Sequence, residues 1–522
     1  MPPRETPVLI VGAGPVGLTA ALVLSQLRTP CRIIDKSMSP TDISKALVIW
    51  RRSLQCLDPF LPMETFLENH SAVRGVNFFS DGKQRAHLLF AEDGRGDPPG
   101  VFIPQYDTEK ILIDALASHD VTVERVVELQ SFQHGEDGVT VTLGKGNETE
   151  TVQVPWLLAC DGGHSTVRKK LGLSFPGEST NRRWLIADVG IQEETRMDEL
   201  MIETAAQGAV ACFPIGPQRW RIICDDGLVE EDAQLAPVTL EQIQQVLSER
   251  TSWGWHLTES FWLSEFRVNE RQVEQYRHGR IFLAGDAAHV HSPAGGQGMN
   301  TGIQDAINLA WKLAMVHAGK APEALLNTYQ AERHPVGAMV VKGTAALMRN
   351  WSKTGHVARG VRSILVPLAT SIGPVRRKII GMLTEDSVSY REGPLAGIRR
   401  EHASHGPGDG FPDRLVSVSG LPSSSTCLLR DVGPTVVIFG EQCDLGSLSF
   451  GLEGNGLPIA IKRVGPGGDA EDPKGALAHA MGLTDGGMVL VRPDGVIAAV
   501  GDTVAELSAW CQDRLMPASM AW

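Results

Sequence analysis

A run of small residues, Gly12-Ala13-Gly14-Pro15-Val16-Gly17, separates two apolar segments, and it restricts the fold more than any other feature of the chain. Pro7 to Val11 reads as a short buried strand and Leu18 to Leu27 as an apolar helix, so the order is strand, GxGxxG, helix. Gly12 permits the tight turn, Gly14 leaves out the Cβ that would block a phosphate, and Gly17 lets helix and strand approach closely. Pro15 and Val16 complete the turn at the helix start, where free N–H groups favour an anion. A second strand, Cys31 to Ile34, runs into Asp35 and Lys36, at the distance past Gly17 where an acid meets a ribose. These elements predict a dinucleotide-binding unit on a doubly wound, Rossmann-type α/β sheet and leave FAD and NAD both open.

Two later segments bear on that choice. Arg280 to Ala284 is a buried strand ending in Gly285-Asp286, and an aspartate at a strand's C-terminal end faces the ligand crevice of such a sheet, which suits Asp286 to a ribityl hydroxyl. The stretch His291 to Gly302 then leads into a helix from Ile303 to about Val316. Gly296, Gly298, Met299 and Asn300 offer backbone N–H groups at that helix start, where the electron-rich pyrimidine edge of a reduced flavin would be stabilised. Between the two lies a third strand, Trp156 to Cys160, running into Asp161-Gly162 and a helix start that carries Arg168.

Together the three motifs resemble those of the group A flavoprotein aromatic hydroxylases, the family of p-hydroxybenzoate and phenol hydroxylases, over most of the chain. The resemblance implies FAD as cofactor, NADPH or NADH and O2 as co-substrates, and hydroxylation of a phenolic or polyketide-like aromatic compound through a C4a-hydroperoxyflavin. Decarboxylative hydroxylation of a hydroxybenzoate is one variant. By the same resemblance Asp161 and Arg168 serve both FAD and the nicotinamide, and Asp286 holds the ribityl chain. The segment Ser44 to Leu54 is similar to the one behind the FAD adenosine, with Lys45 in place of the usual first arginine and Arg52 as the later one. Lysine keeps the charge and loses the planar fork. Gln105 matches a glutamine near the flavin phosphates. Pro293 matches the proline whose backbone faces the active site, and with His291 it forms the candidate catalytic pair. Trp184, Phe213, Trp220, Trp253, Trp255 and Trp262 could each stack on an aromatic substrate, although most are expected in the core, and Phe213 and Pro214 are the candidate substrate contacts. Two other classes stay open: a FAD-dependent epoxidase or Baeyer–Villiger-type oxygenase, and a non-catalytic flavin-dependent binder.

A chain of 522 residues exceeds one hydrophobic core. The expected division is a discontinuous FAD domain (1–176 and 268–350), an inserted antiparallel-sheet substrate domain (177–267), a helical region and linker (351–405), and a thioredoxin-like domain (406–522). Gly406 to Gly410 reads as the linker, with Asp409 as a solvated loop residue, and Arg492-Pro493-Asp494-Gly495 as a turn between strands. The tail lacks CxxC and has only Cys443 after Thr435 to Phe439, so packing or dimerisation is expected of it, not disulfide exchange. With 61 acidic and 48 basic residues the net charge of −13 opposes a nucleic-acid partner. Eight scattered cysteines point to free thiols in a reducing, cytoplasmic setting. Val8 to Leu27 carries no charge, but its glycines and proline and the absence of a basic cluster ahead of it argue against a membrane span. No acid or cysteine cluster accompanies His289 and His291, so no metal site is expected.

Overall fold

The structure is a computed structural model that describes residues 6–90, 95–230, 236–353, 355–440 and 459–515. Its first sheet has six strands in the order Arg277–His278, Ile281–Leu283, Trp156–Ala159, Val8–Val11, Cys31–Asp35 and Val123–Arg125. All neighbours are parallel except the short Arg277–His278 edge. Val8–Val11, Trp156–Ala159 and Ile281–Leu283 are buried throughout, as near-continuous apolar strands of a sheet covered on both faces must be. Val11 is in register with both Ala159 and Ile34. The three motifs therefore leave the sheet side by side: Gly12 N donates to Ile34 O at 2.9 Å, Cys160 N to Val11 O at 2.8 Å, and Ala284 N to Ala159 O at 3.0 Å.

Helix Pro15–Gln26 starts directly after the glycine turn. Gly12 has φ +102, and a Cβ there would lie 2.4 Å from the Cys160 carbonyl oxygen; a Cβ at Gly17 would lie 2.0 Å from that of Gly12. These two glycines are fixed by backbone packing. At Gly14 no neighbouring atom of the described residues lies within 4 Å of the Cβ position, so this glycine, unlike the other two, borders open space. The long helix Gly298–His317 packs on the first at Val16, whose Cγ2 would sit 2.6 Å from a Cβ on Gly302.

The second sheet has eight strands, ordered His289–Val290, Leu257–Gln272, Gly177–Ile191, Arg219–Leu228, Gly208–Gly216, Glu199–Ala205, Gly75–Ser80 and Lys83–Leu89. It is antiparallel except where Glu199–Ala205 runs parallel to Gly75–Ser80. Two strands thus come from outside the 177–267 stretch, and a third, His289–Val290, continues the Gly285-Asp286 motif. Alternation splits the faces. Leu185, Ala187, Cys212, Trp220 and Ile222 pack with Ile243, Val246 and Leu247 of helix Leu240–Arg250. Ile186, Phe213, Arg221 and Ile223 face the first sheet across a cleft.

The C-terminal region holds a four-stranded mixed sheet, ordered Ala460–Val464, Thr435–Phe439, Gly487–Val491 and Ile497–Gly501. Cys443 lies outside the described residues, and the seven described cysteines are free. Arg492 to Gly495 forms the expected turn, closed by Gly495 N to Arg492 O at 2.9 Å. The turn is buried, however. Arg492 grips Glu332 of helix Asn327–Trp351 at 2.6 and 2.8 Å, and Asp494 accepts from Asn308 and Trp311 of helix Gly298–His317, each at 3.2 Å. Gly406 to Gly410 is likewise no solvated linker: Asp409 is 5% exposed and paired with Arg391 at 2.6 and 2.8 Å.

Candidate active site

A cavity of about 650 Å³ lies between the C-terminal ends of the first sheet and the inner face of the second. Its floor carries Gly14, Pro15 and Val16 of the first turn, Lys45, Gln105, Asp286, His291, Pro293, Gly296, Gly298 and Met299, so four segments distant in sequence meet at one site. The open space at Gly14, the start of helix Pro15–Gln26 and the start of helix Gly298–His317 provide two sets of backbone donors along one elongated cleft. Asp35 steadies the first of these, accepting from Ala13 N at 2.8 Å and from Ser37 N at 2.7 Å.

Several sequence candidates have other roles. Arg52, expected behind the adenosine, is turned away: its side chain is buried at the junction with the C-terminal region and donates to Asp494 O at 3.3 Å. It sits in helix Arg51–Leu57, whose rotation points this position away from the cleft. The Asn300 side chain is engaged by Trp50 N, Val48 O and Gly296 O, at 2.7 to 2.9 Å, and ties the loop together. Arg168 donates to Ala287 O at 2.9 Å and to Gly163 O at 2.5 Å, stapling the DG and GD motifs, and its guanidinium lies 3.9 Å over the Phe175 ring. Asp161 Oδ2 accepts from Thr166 N at 2.6 Å, while its buried Oδ1 has no partner. Lys36 is exposed. Of the two substrate candidates, Phe213 lines the cavity, whereas Pro214, on the opposite face of the strand, does not.

The wall holds Trp262, one of the aromatic residues considered for stacking on a substrate, and a charge pair that sequence reasoning missed. Trp262 faces the cavity with the Arg221 guanidinium 5.1 Å from its ring, and Asp188 binds Arg221 at 2.7 and 2.8 Å. Asp188 and Arg221 are directly opposed in neighbouring strands, so a buried charge pair crosses the inner face. The other tryptophans are core: Trp220, Trp253 and Trp255 cluster at 4.8 to 5.1 Å, and Trp184 stacks on Phe266.

Electrostatics separate two groups on the floor. The Asp286 carboxylate is open to the cavity and has no hydrogen-bond partner among the described residues, and burial of its surroundings raises its pKa against the pull of His289, Lys45 and Arg168. An acceptor without a partner in a cleft of donors fits a hydroxylated chain. His291 Nδ1 lies 2.8 Å from Ser292 O, which places its proton there and leaves the buried Nε2 without a partner among the described residues. Burial, and then His289, push its pKa down to about 4, so the ring is neutral. His289 Nε2 is already held by Asp305 at 2.8 Å.

The cleft pairs a glycine-turn dinucleotide cradle with a partly aromatic sheet, and the proteins the chain resembles are flavin-dependent monooxygenases. The chain belongs to the FAD binding domain family, whose description matches residues 5–344. It is 34% identical to 6-methylpretetramide 4-monooxygenase of Streptomyces rimosus over 96% of this chain and 92% of that one. It is 36% identical to rifampicin monooxygenase of Streptomyces venezuelae over 74% of this chain and 80% of that one. Among solved structures, anhydrotetracycline hydroxylase from Streptomyces rimosus superposes with TM-score 0.78 at 29% identity, covering 99% of this chain and all of that one. Among the described residues no helix is long and apolar enough to cross a membrane.

Proposed function

We propose that the protein hydroxylates a polycyclic phenolic compound of polyketide type, using NADPH or NADH and O2. The observation that carries this reading is that one cavity is shared by the FAD cradle (Gly14, Asp286, Gly298) and by a wall of Ile186, Phe213, Ile223 and Trp262. Its volume of about 650 Å³ has room for fused rings, and relatives named for anhydrotetracycline and rifampicin support the choice. FAD, when bound, supplies the redox and oxygen chemistry. Gly14 and the helix start at Pro15 would hold its phosphates, Asp286 would accept from its ribityl hydroxyls, and the backbone of Gly298 and Met299 would serve its ring. The wall aligns the substrate and excludes water. His291 keeps its proton on Nδ1 and presents Nε2 as an acceptor. The free thiols fit a reducing, cytoplasmic setting.

The test is a screen of polycyclic phenols read by substrate-stimulated NADPH consumption and product mass. A product heavier by one oxygen atom is expected, or one in which a carboxyl is replaced by hydroxyl. A binder without turnover would hold the ligand tightly and leave NADPH unconsumed, and that result would overturn the reading.

A further inference from the structure

A second cavity, of about 160 Å³, lies where helix Arg51–Leu57 meets the C-terminal region, and it shares no lining residue with the FAD cleft. Arg52, Arg95, Arg391 and Arg414 line it, against Asp386, Asp409 and Asp413. All three aspartates are engaged. Asp386 accepts from Arg51 at 3.2 Å, Arg95 at 2.5 Å and Thr384 at 2.7 Å. Asp409 is gripped by Arg391 and accepts from Gly406 N at 3.0 Å. Asp413 accepts from Gly96 N at 2.8 Å, Asp97 N at 3.1 Å and Ser424 at 2.9 Å.

Arg52 differs from its neighbours. It is 5% exposed, its side chain makes a single 3.3 Å hydrogen bond to a backbone carbonyl, and it forms no ion pair among the described residues. The carboxylates of Asp494 and Asp386 attract it only at longer range, and they are held by Arg492 and by Arg51 and Arg95 respectively. Gly410 presents bare backbone to the guanidinium, since a Cβ there would lie 2.7 Å from Nη1. In the same wall His405 is pushed down to about 4, by burial first and then by Arg414, with Arg95 and Arg391 adding and Asp409 opposing. The cavity is therefore polar, and its four arginines outnumber its three aspartates. A buried guanidinium with no ion-pair partner keeps unused donors, and an anion with paired oxygens is what its fork matches.

We propose that this junction cavity is an oxyanion site that takes one phosphate-sized group on Arg52, supplied by free phosphate or by the phosphate of a nucleotide. The holoenzyme, freed of phosphate, is titrated with inorganic phosphate against chloride at matched ionic strength, by calorimetry and by hydrogen exchange. Saturable phosphate binding is expected, with slowed exchange at Asp386 to Ser389 and Phe411 to Arg414. Arg52→Met should weaken it about tenfold or more, and Arg52→Lys less. A parallel titration with 2′,5′-ADP separates the sources: tighter, competing binding assigns a nucleotide phosphate, and affinity no better than phosphate assigns the free anion. Absence of saturable binding in the wild type overturns the proposal, as does unchanged binding in Arg52→Met. Should Arg52→Met not fold, exchange protection in the wild type decides alone, and protection elsewhere overturns the site.

Discussion

Replacing Asp286 tests the cofactor assignment directly. Its carboxylate has no hydrogen-bond partner among the described residues and opens into the cleft, so on the proposed reading the contact removed by Asp286→Ala is one made to the ligand. A charge-assisted hydrogen bond in a partly enclosed site is worth about 1.5 to 3 kcal/mol, equal to about ten- to hundredfold in FAD affinity. Burial already disfavours the charged form in the free protein, which puts the expected loss toward the lower end of that range. Asp286→Asn keeps an acceptor and loses the charge, and should fall between the two. The assay is FAD release on dilution, followed by flavin fluorescence, with activity restored by excess FAD. Asp409 cannot serve as control because it forms a buried pair with Arg391, so the exposed Asp137 is used, and Asp137→Ala should change affinity by less than about twofold. Unchanged FAD affinity in Asp286→Ala would refute the ribityl assignment, and equal losses in Asp137→Ala would assign the effect to general instability.

Gly17→Ala should prevent a folded FAD domain, because the new Cβ would lie 2.0 Å from Gly12 O; soluble, yellow protein from this variant would contradict the packing. Arg492→Ala leaves Glu332 and Asp494 buried without their guanidinium and should cost about 3 to 5 kcal/mol in urea unfolding; a loss below about 1 kcal/mol would count against the clamp. Glu385, buried against Thr301 and Gln304, has its pKa raised from 4.5 to about 8 by burial. The folded state thus keeps a proton that the unfolded chain releases, and stability is full below pH about 4.5 and falls toward pH about 8. Relative to wild type, Glu385→Gln should flatten the decline of Tm across that window, and parallel profiles would remove the assignment. Trp262→Ala should raise KM for a phenolic substrate while leaving FAD affinity within about twofold; the reverse pattern would move Trp262 out of the substrate wall.

Sequence proved most informative where chemistry is local. Strand, glycine turn and helix occupy consecutive residues, so Val8–Val11, Pro15–Gln26 and the position of Asp286 could be read directly. Arg52 could not, because whether a position on helix Arg51–Leu57 faces the cleft depends on how that helix is rotated by its packing partners. Gly406 to Gly410 has the composition of a linker, yet Arg391 closes on Asp409 from a segment that composition does not connect to it. Gly75–Ser80 joins the second sheet only through Glu199–Ala205, a pairing with no local signal. Asp188 and Arg221 each interrupt an alternating apolar strand, and that interruption was the available sign of a functional face. Their pairing needed the register.

The short strand His289–Val290 has a mechanical consequence. It is hydrogen-bonded along its length to the edge of the substrate sheet, Val290 opposite Arg271 and His289 opposite Gln272, while Asp305 on helix Gly298–His317 grips the His289 ring and the Gly285 amide. Asp286 lies between those anchors, so the residue assigned to the ribityl chain is suspended between roof and floor. Any change in the spacing of the two sheets must pass its strain through this short span, so the position of Asp286 is coupled mechanically to the width of the gap above it.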